Sequence, residues 1–141
     1  MEREGEFTTL EAVSLALELY PDSAVVEIER DHEKGGEVWE IVIRHQDARG
    51  TELHIDVQTG DVLKERPARV PSEVRAAPPR ISIEEAIAIA LETVPGAISE
   101  MEIETQGGRV VWEAEGASSS GRMFVHIDAH SGEVIAQGVG N

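Results

Sequence analysis

The chain has 141 residues, 40% of them hydrophobic, and its 28 acidic against 12 basic side chains leave a formal charge of −16. Such a charge excludes a nucleic-acid phosphate backbone as the expected partner and points instead to a cationic surface or peptide. Without cysteine there is no disulfide, thiolate metal site or cysteine nucleophile, and no apolar run approaches the roughly 18 residues of a membrane-crossing helix.

The first residues, Met-Glu-Arg-Glu-Gly-Glu, are acidic and lack the apolar core of a secretory signal. Thr8-Thr9-Leu10-Glu11 then has the spacing of a capping box, so a helix is expected to start there. Ala12, Val13, Ala16, Leu17 and Tyr20 form one apolar stripe at helical spacing, and Pro21 stops it. Three strand-like runs follow at 25–30, 38–45 and 51–58, with a hairpin turn expected at 33–37. After the third run, Asp56-x-x-x-Gly60 predicts a tight turn with glycine at positive φ and a short returning strand.

Residues 64–80 hold four of the six prolines. They also carry Lys64, Arg66, Arg69, Arg75 and Arg80 against Glu65 and Glu73, a basic and partly extended linker expected to lie against an acidic neighbour. Beyond it the pattern recurs. Ser82-Ile83-Glu84-Glu85 repeats the cap, and Ala86, Ile87, Ala90, Leu91 and Val94 repeat the stripe before Pro95-Gly96. Strand-like runs at 98–105, 109–115 and 123–129 end in Asp128-x-x-x-Gly132, with a turn at 106–108 and a Gly/Ser loop at 116–121. Ala12 and Ala86 are 74 positions apart, Trp39 and Trp112 73, and Asp56 and Asp128 72, a drift that small loop deletions explain. The expected organisation is therefore repeat 1 at 7–63, linker at 64–80 and repeat 2 at 81–137. The expected fold class is α+β, a tandem repeat of one helix packed on a small antiparallel sheet of three or four strands.

The order Ser-x-Glu-Glu-Ala-x-x-x-Ala-Leu-x-x-Val-Pro-Gly, Val-Val-Trp-Glu-Ala and Val-His-Ile-Asp-Ala-x-Ser-Gly-Glu-Val resembles a PepSY domain over residues 81–136. Residues 7–63 are similar, with Tyr20-Pro21-Asp22 in place of Val-Pro-Gly. The resemblance implies an extracytoplasmic location and an inhibitory or regulatory role toward peptidases. It brings no catalytic residue with it.

If Ile41, Ile43, Leu53 and Ile55 face the helix, alternation sends Glu40, Val42, Arg44, Glu52 and His54 to the opposite face. The same phase places Glu100, Glu102, Glu104, Val111, Glu113, Glu115, Phe124 and His126 outside in the second copy. From these the candidate interaction face is Val42, His54, Val111, Glu113, Phe124 and His126, a mixture suited to a protein partner with basic and apolar groups. Sheet edges offer a second route, strand addition. Trp39 and Trp112 have inward phase and are expected to anchor the cores.

His126-x-Asp128-x-His130 has metal-ligand residue types, but Asp128 is claimed by the turn, His130 lies within it, and the first copy has Gln58 in its place. Ser118-Ser119-Ser120 lacks a nucleophile-elbow context. No catalytic, metal or cofactor site is therefore expected. The sequence reads as a non-enzymatic extracytoplasmic binding or regulatory module with a protein partner, a peptidase on the family resemblance. The alternative is a cation or small-ligand binder using the acidic sheet faces.

Overall fold

The structure is a computed structural model describing residues 5–140; residues 1–4, within the acidic N-terminal stretch, and residue 141 lie outside the described residues. Both expected caps form. The Thr8 hydroxyl accepts from the Glu11 amide at 3.1 Å while the Glu11 carboxylate accepts from the Thr8 amide at 2.9 Å, which starts helix α1 at Thr9–Leu19. Ser82 and Glu85 make the same two bonds at 3.1 and 2.9 Å for α2, Ile83–Thr93.

Four strands follow each helix: β1 Ala24–Glu33, β2 Gly36–Arg44, β3 Gly50–Asp56 and β4 Val62–Ala68, then β5 Ala97–Gln106, β6 Arg109–Ser118, β7 Gly121–Asp128 and β8 Val134–Gly140. They join into a single antiparallel sheet of eight, ordered β4-β3-β2-β1-β5-β6-β7-β8. The expectation of two small sheets is thereby corrected. The α+β class holds, but the first strand of each repeat pairs with that of the other, through Ile28↔Met101 and Glu29↔Glu100. An exposed first strand in each unit would present unpaired backbone groups, and pairing the two removes both edges.

Both helices lie on one face of this sheet and share one core. Ala12, Val13 and Ala16 of α1 and Ala86, Ile87 and Ala90 of α2 belong to the same buried cluster as Ile28, Ile41, Leu53, Met101, Val125 and Ile127. The repeats interlock further because the buried Thr9 hydroxyl of α1 donates to the Ile98 carbonyl of β5. Trp39 and Trp112 are fully buried, as their phase predicts. Each indole N–H donates at 2.9 Å to the carbonyl just before a helix, that of Phe7 or of Ile81.

The Asp-x-x-x-Gly turns match bond for bond. Asp56 accepts from the amides of Gln58 and Thr59 at 2.8 and 2.9 Å, and Asp128 accepts from those of His130 and Ser131 at 2.7 and 2.9 Å. Gly60 and Gly132 take φ of 78° and 84°, the positive values expected for them.

The proline-rich stretch begins inside the sheet, since β4 takes in residues 64–68. Pro67 is tolerated there because β4 is an edge strand. Beyond β4, Val70 and Val74 enter the core, and the buried Arg44 guanidinium donates to the carbonyls of Val74 at 2.7 Å and Arg75 at 3.2 Å. A short 3-10 turn at Ser72–Val74 is thus pinned to the end of β2.

Candidate functional site

The face away from the helices is built by register. Pairs Glu27↔Val42, Glu29↔Glu40, Glu40↔His54 and Val42↔Glu52 set its first half, and Glu102↔Glu113, Glu113↔His126 and Glu115↔Phe124 its second. At the central seam Glu27 and Glu29 of β1 stand beside Glu100, Glu102 and Glu104 of β5. Burial, then repulsion from Glu102, pushes Glu100 up to about 7. Burial also raises Glu102, and burial together with Glu102 and Glu29 raises Glu27. A hydrogen bond between the two carboxyls raises Glu100 further and partly offsets the rise of Glu102.

In the first half, His54 is 2% exposed. Its Nε2 lies 2.5 Å from Glu52 Oε2, which also meets Arg66 Nη2 at 3.1 Å. Its Nδ1 lies 2.9 Å from Glu33 Oε2 but off the direction of a hydrogen bond, and this buried atom has no hydrogen-bond partner. Glu40 completes the group, donor atoms of Glu33, Glu40 and His54 lying within 4.8 Å of one another. Burial, and a hydrogen bond that the Glu40 carboxyl donates to Asp31, push Glu40 up to about 7, and the same bond holds Asp31 down. The second half carries the equivalent trio as Gln106, Glu113 and His126. The Gln106 amide nitrogen donates to the Glu113 carboxylate and lies 3.2 Å from His126 Nδ1.

The six residues expected to form the interaction face do not form one patch. Val42 and His54 lie on β2 and β3, while Glu113, Phe124 and His126 lie on β6 and β7. At the usual spacing of ~4.8 Å between strands, the five steps from β3 to β7 put these strands roughly 24 Å apart along the sheet. Val111 has the outward phase but is fully buried, so it offers no surface to a partner, and His54 is similarly enclosed. Val42 is half-buried. Phe124 is 39% exposed, its ring 5.2 Å from that of His126 and lying across Gly138 of β8. Together with Glu115, Arg122, Val139 and others it lines an open groove of about 660 Å³ at the β7–β8 edge. The residue pattern puts Glu33 in a hairpin turn and so misses it; β1 instead continues to Glu33 and the turn tightens to two residues. The signal available was the 73-residue displacement that makes Glu33 and Gln106 equivalent.

These features define a tandem-repeat α+β module with helices on one face and an acidic opposite face, and with no helix, among the described residues, long and apolar enough to cross a membrane. The chain belongs to the PepSY family, whose peptidase propeptide and YPEB domain model matches residues 9–66 and 80–137.

Among curated relatives it is similar to uncharacterized protein YkoJ of Bacillus subtilis (strain 168), 28% identical over 117 residues. That match takes in 82% of this chain but 65% of the relative, which is therefore longer than the part resembled here. Among solved structures, a candidate lipoprotein (CD1622) of Clostridium difficile 630 aligns at a TM-score of 0.53 and 17% identity. The alignment covers 97% of this chain and 95% of that one, a likeness of fold. The Bacillus megaterium YpeB C-terminal domain aligns at a TM-score of 0.35 and 16% identity, over 100% of this chain and 69% of that one.

Proposed function

We propose that this protein is a non-enzymatic, extracytoplasmic binding module that takes a cationic, partly apolar segment of a protein partner on its outer sheet face, at the β7–β8 end. PepSY membership favours a peptidase as the class of partner and an extracytoplasmic setting. The observation that carries the reading is the groove of about 660 Å³ in which exposed Phe124 stands beside Glu115 and His126. The groove adjoins an edge strand open to pairing. Of the two edges, β4 carries Lys64, Glu65, Arg66 and Pro67, residue types that discourage strand addition, whereas Val134–Gly140 has no charge and no proline. The central carboxylates would speed encounter with a basic segment, and Phe124 would hold it once docked.

The test is a titration of isotope-labelled protein with an extended peptide alternating lysine and valine, followed by amide shifts. Shifts on β7 and β8, weakened by Phe124→Glu and by salt but indifferent to Glu92→Lys on α2, are expected. Shifts confined to the helices, or a loss of binding in the Glu92 variant alone, would show the working face to be the other one. Dose-dependent inhibition of a secreted peptidase, lost in Phe124→Glu, tests the partner class.

A further inference from the structure

The two repeats place the same three positions together and fill one of them differently. In repeat 2 the Gln106 amide bridges the Glu113 carboxylate and His126 Nδ1, so its hydrogens satisfy both acceptors. In repeat 1 the equivalent of Gln106 is Glu33, which has no hydrogen to give. A carboxylate there faces a second carboxylate, Glu40, and a ring nitrogen buried without a partner, that of His54, whose side chain is 3% exposed. Among the described residues no lysine or arginine pairs with Glu33 or Glu40 to supply the missing positive charge.

We infer that Glu33, Glu40 and His54 form a binding site for a divalent first-row cation such as zinc, with His54 Nδ1 and one oxygen from each carboxylate as ligands. The far side of the imidazole is arranged for it. Glu52 lies 2.5 Å from Nε2, so Nε2–H donates to that carboxylate and Nδ1 is left with a buried lone pair that no hydrogen bond uses. A metal-bound histidine is ordinarily oriented in this way, its other ring nitrogen donating to a carboxylate. One imidazole with two carboxylates is a mixed nitrogen and oxygen set, which suits zinc or manganese better than calcium or magnesium, whose ligands are oxygens. Ligands about 2.1 Å from a tetrahedral ion stand ~3.4 Å apart. Donors already within 4.8 Å need only small side-chain rotations to close on one. Water completes the coordination. This site stands on repeat 1 and does not depend on the protein-binding groove of repeat 2.

The repeats supply the test. Zinc is titrated into metal-free protein by calorimetry, with circular dichroism as a check on folding. Wild type is expected to bind one zinc ion per chain. Glu33→Gln, which gives repeat 1 the bridging amide that repeat 2 carries, abolishes binding without unfolding the chain. Glu52→Gln leaves the three ligands in place and lowers affinity by about 10- to 100-fold. Gln106→Glu gives repeat 2 the ligand set of repeat 1 and raises the stoichiometry toward two. Zinc binding that survives Glu33→Gln unchanged would overturn the assignment. So would a wild-type chain that binds neither zinc nor manganese while nitrogen-detected spectra of His54 show both ring nitrogens protonated, since a proton would then occupy the place assigned to the metal.

Discussion

Replacing the two turn glycines by alanine separates backbone strain from packing, because both hold nearly the same φ in different surroundings. An L-residue in the left-handed region costs roughly 1–2 kcal/mol, offset by about 0.4–1 kcal/mol from the stiffer unfolded chain. At Gly132 a Cβ would meet the Cδ1 atoms of Ile81 and Ile89 at 3.5 Å, an ordinary contact, so Gly132→Ala should cost about 1 kcal/mol. At Gly60 it would lie 2.9 Å from Phe7 Cζ and 3.2 Å from Leu15 Cδ1. Phe7 has little room to retreat, since its carbonyl accepts from Trp39 and its amide donates to the Val57 carbonyl. Overpacking adds roughly 1–3 kcal/mol there, bringing Gly60→Ala to about 2–4 kcal/mol. Equilibrium urea unfolding measures the difference. With a slope of about 2 kcal/mol/M, the midpoint should fall by about 0.5 M for Gly132→Ala and about 1–2 M for Gly60→Ala. Equal shifts would refute the packing argument at Phe7, and unchanged midpoints in both would show that neither turn needs a left-handed glycine.

Three further outcomes are expected. Because Glu100 is raised from 4.5 to about 7, and Glu102 and Glu27 are raised too, the folded chain binds protons more tightly than the unfolded one in that range. Their contribution is thus fully present below about pH 4.5 and lost as pH rises through about 7, so Glu100→Gln should stabilise the protein more at pH 8 than at pH 5, read as melting midpoints. Arg44→Ala leaves the carbonyls of Val74 and Arg75 without their donor, which should cost about 2–3 kcal/mol and make trypsin cut after Arg75 faster. Trp39→Phe and Trp112→Phe each strand a carbonyl before a helix and should cost about 1–3 kcal/mol each, by chemical denaturation, with the two values similar because the two bonds are the same length.

Much of the candidate site could be read only in part. Alternation correctly put His54, Glu113, Phe124 and His126 on the face away from the helices, since side-chain phase is a local property of an extended chain. Burial is not local. Val111 and His54 share that phase yet are enclosed, which depends on neighbouring strands that a single run of residues does not identify. Glu33 reaches His54, 21 positions later in the chain, because β1 and β3 flank β2 in the sheet. Its role stayed hidden while residues 33–37 read as a turn.

The sequence by itself determined the two capped helices, the strand runs, the inward tryptophans, the Asp-x-x-x-Gly turns and the repeat that relates them. Each of these follows from capping, periodicity or backbone conformation within a few residues. Only the tertiary structure decided that the two units share one sheet and one core. The joining contact between β1 and β5 pairs Ile28 with Met101 and Glu29 with Glu100, residues that would read the same in an edge strand as in a central one. What favours the union is the removal of two unpaired strand edges and the burial of both helices on a common face, energies that exist only once both halves are folded together.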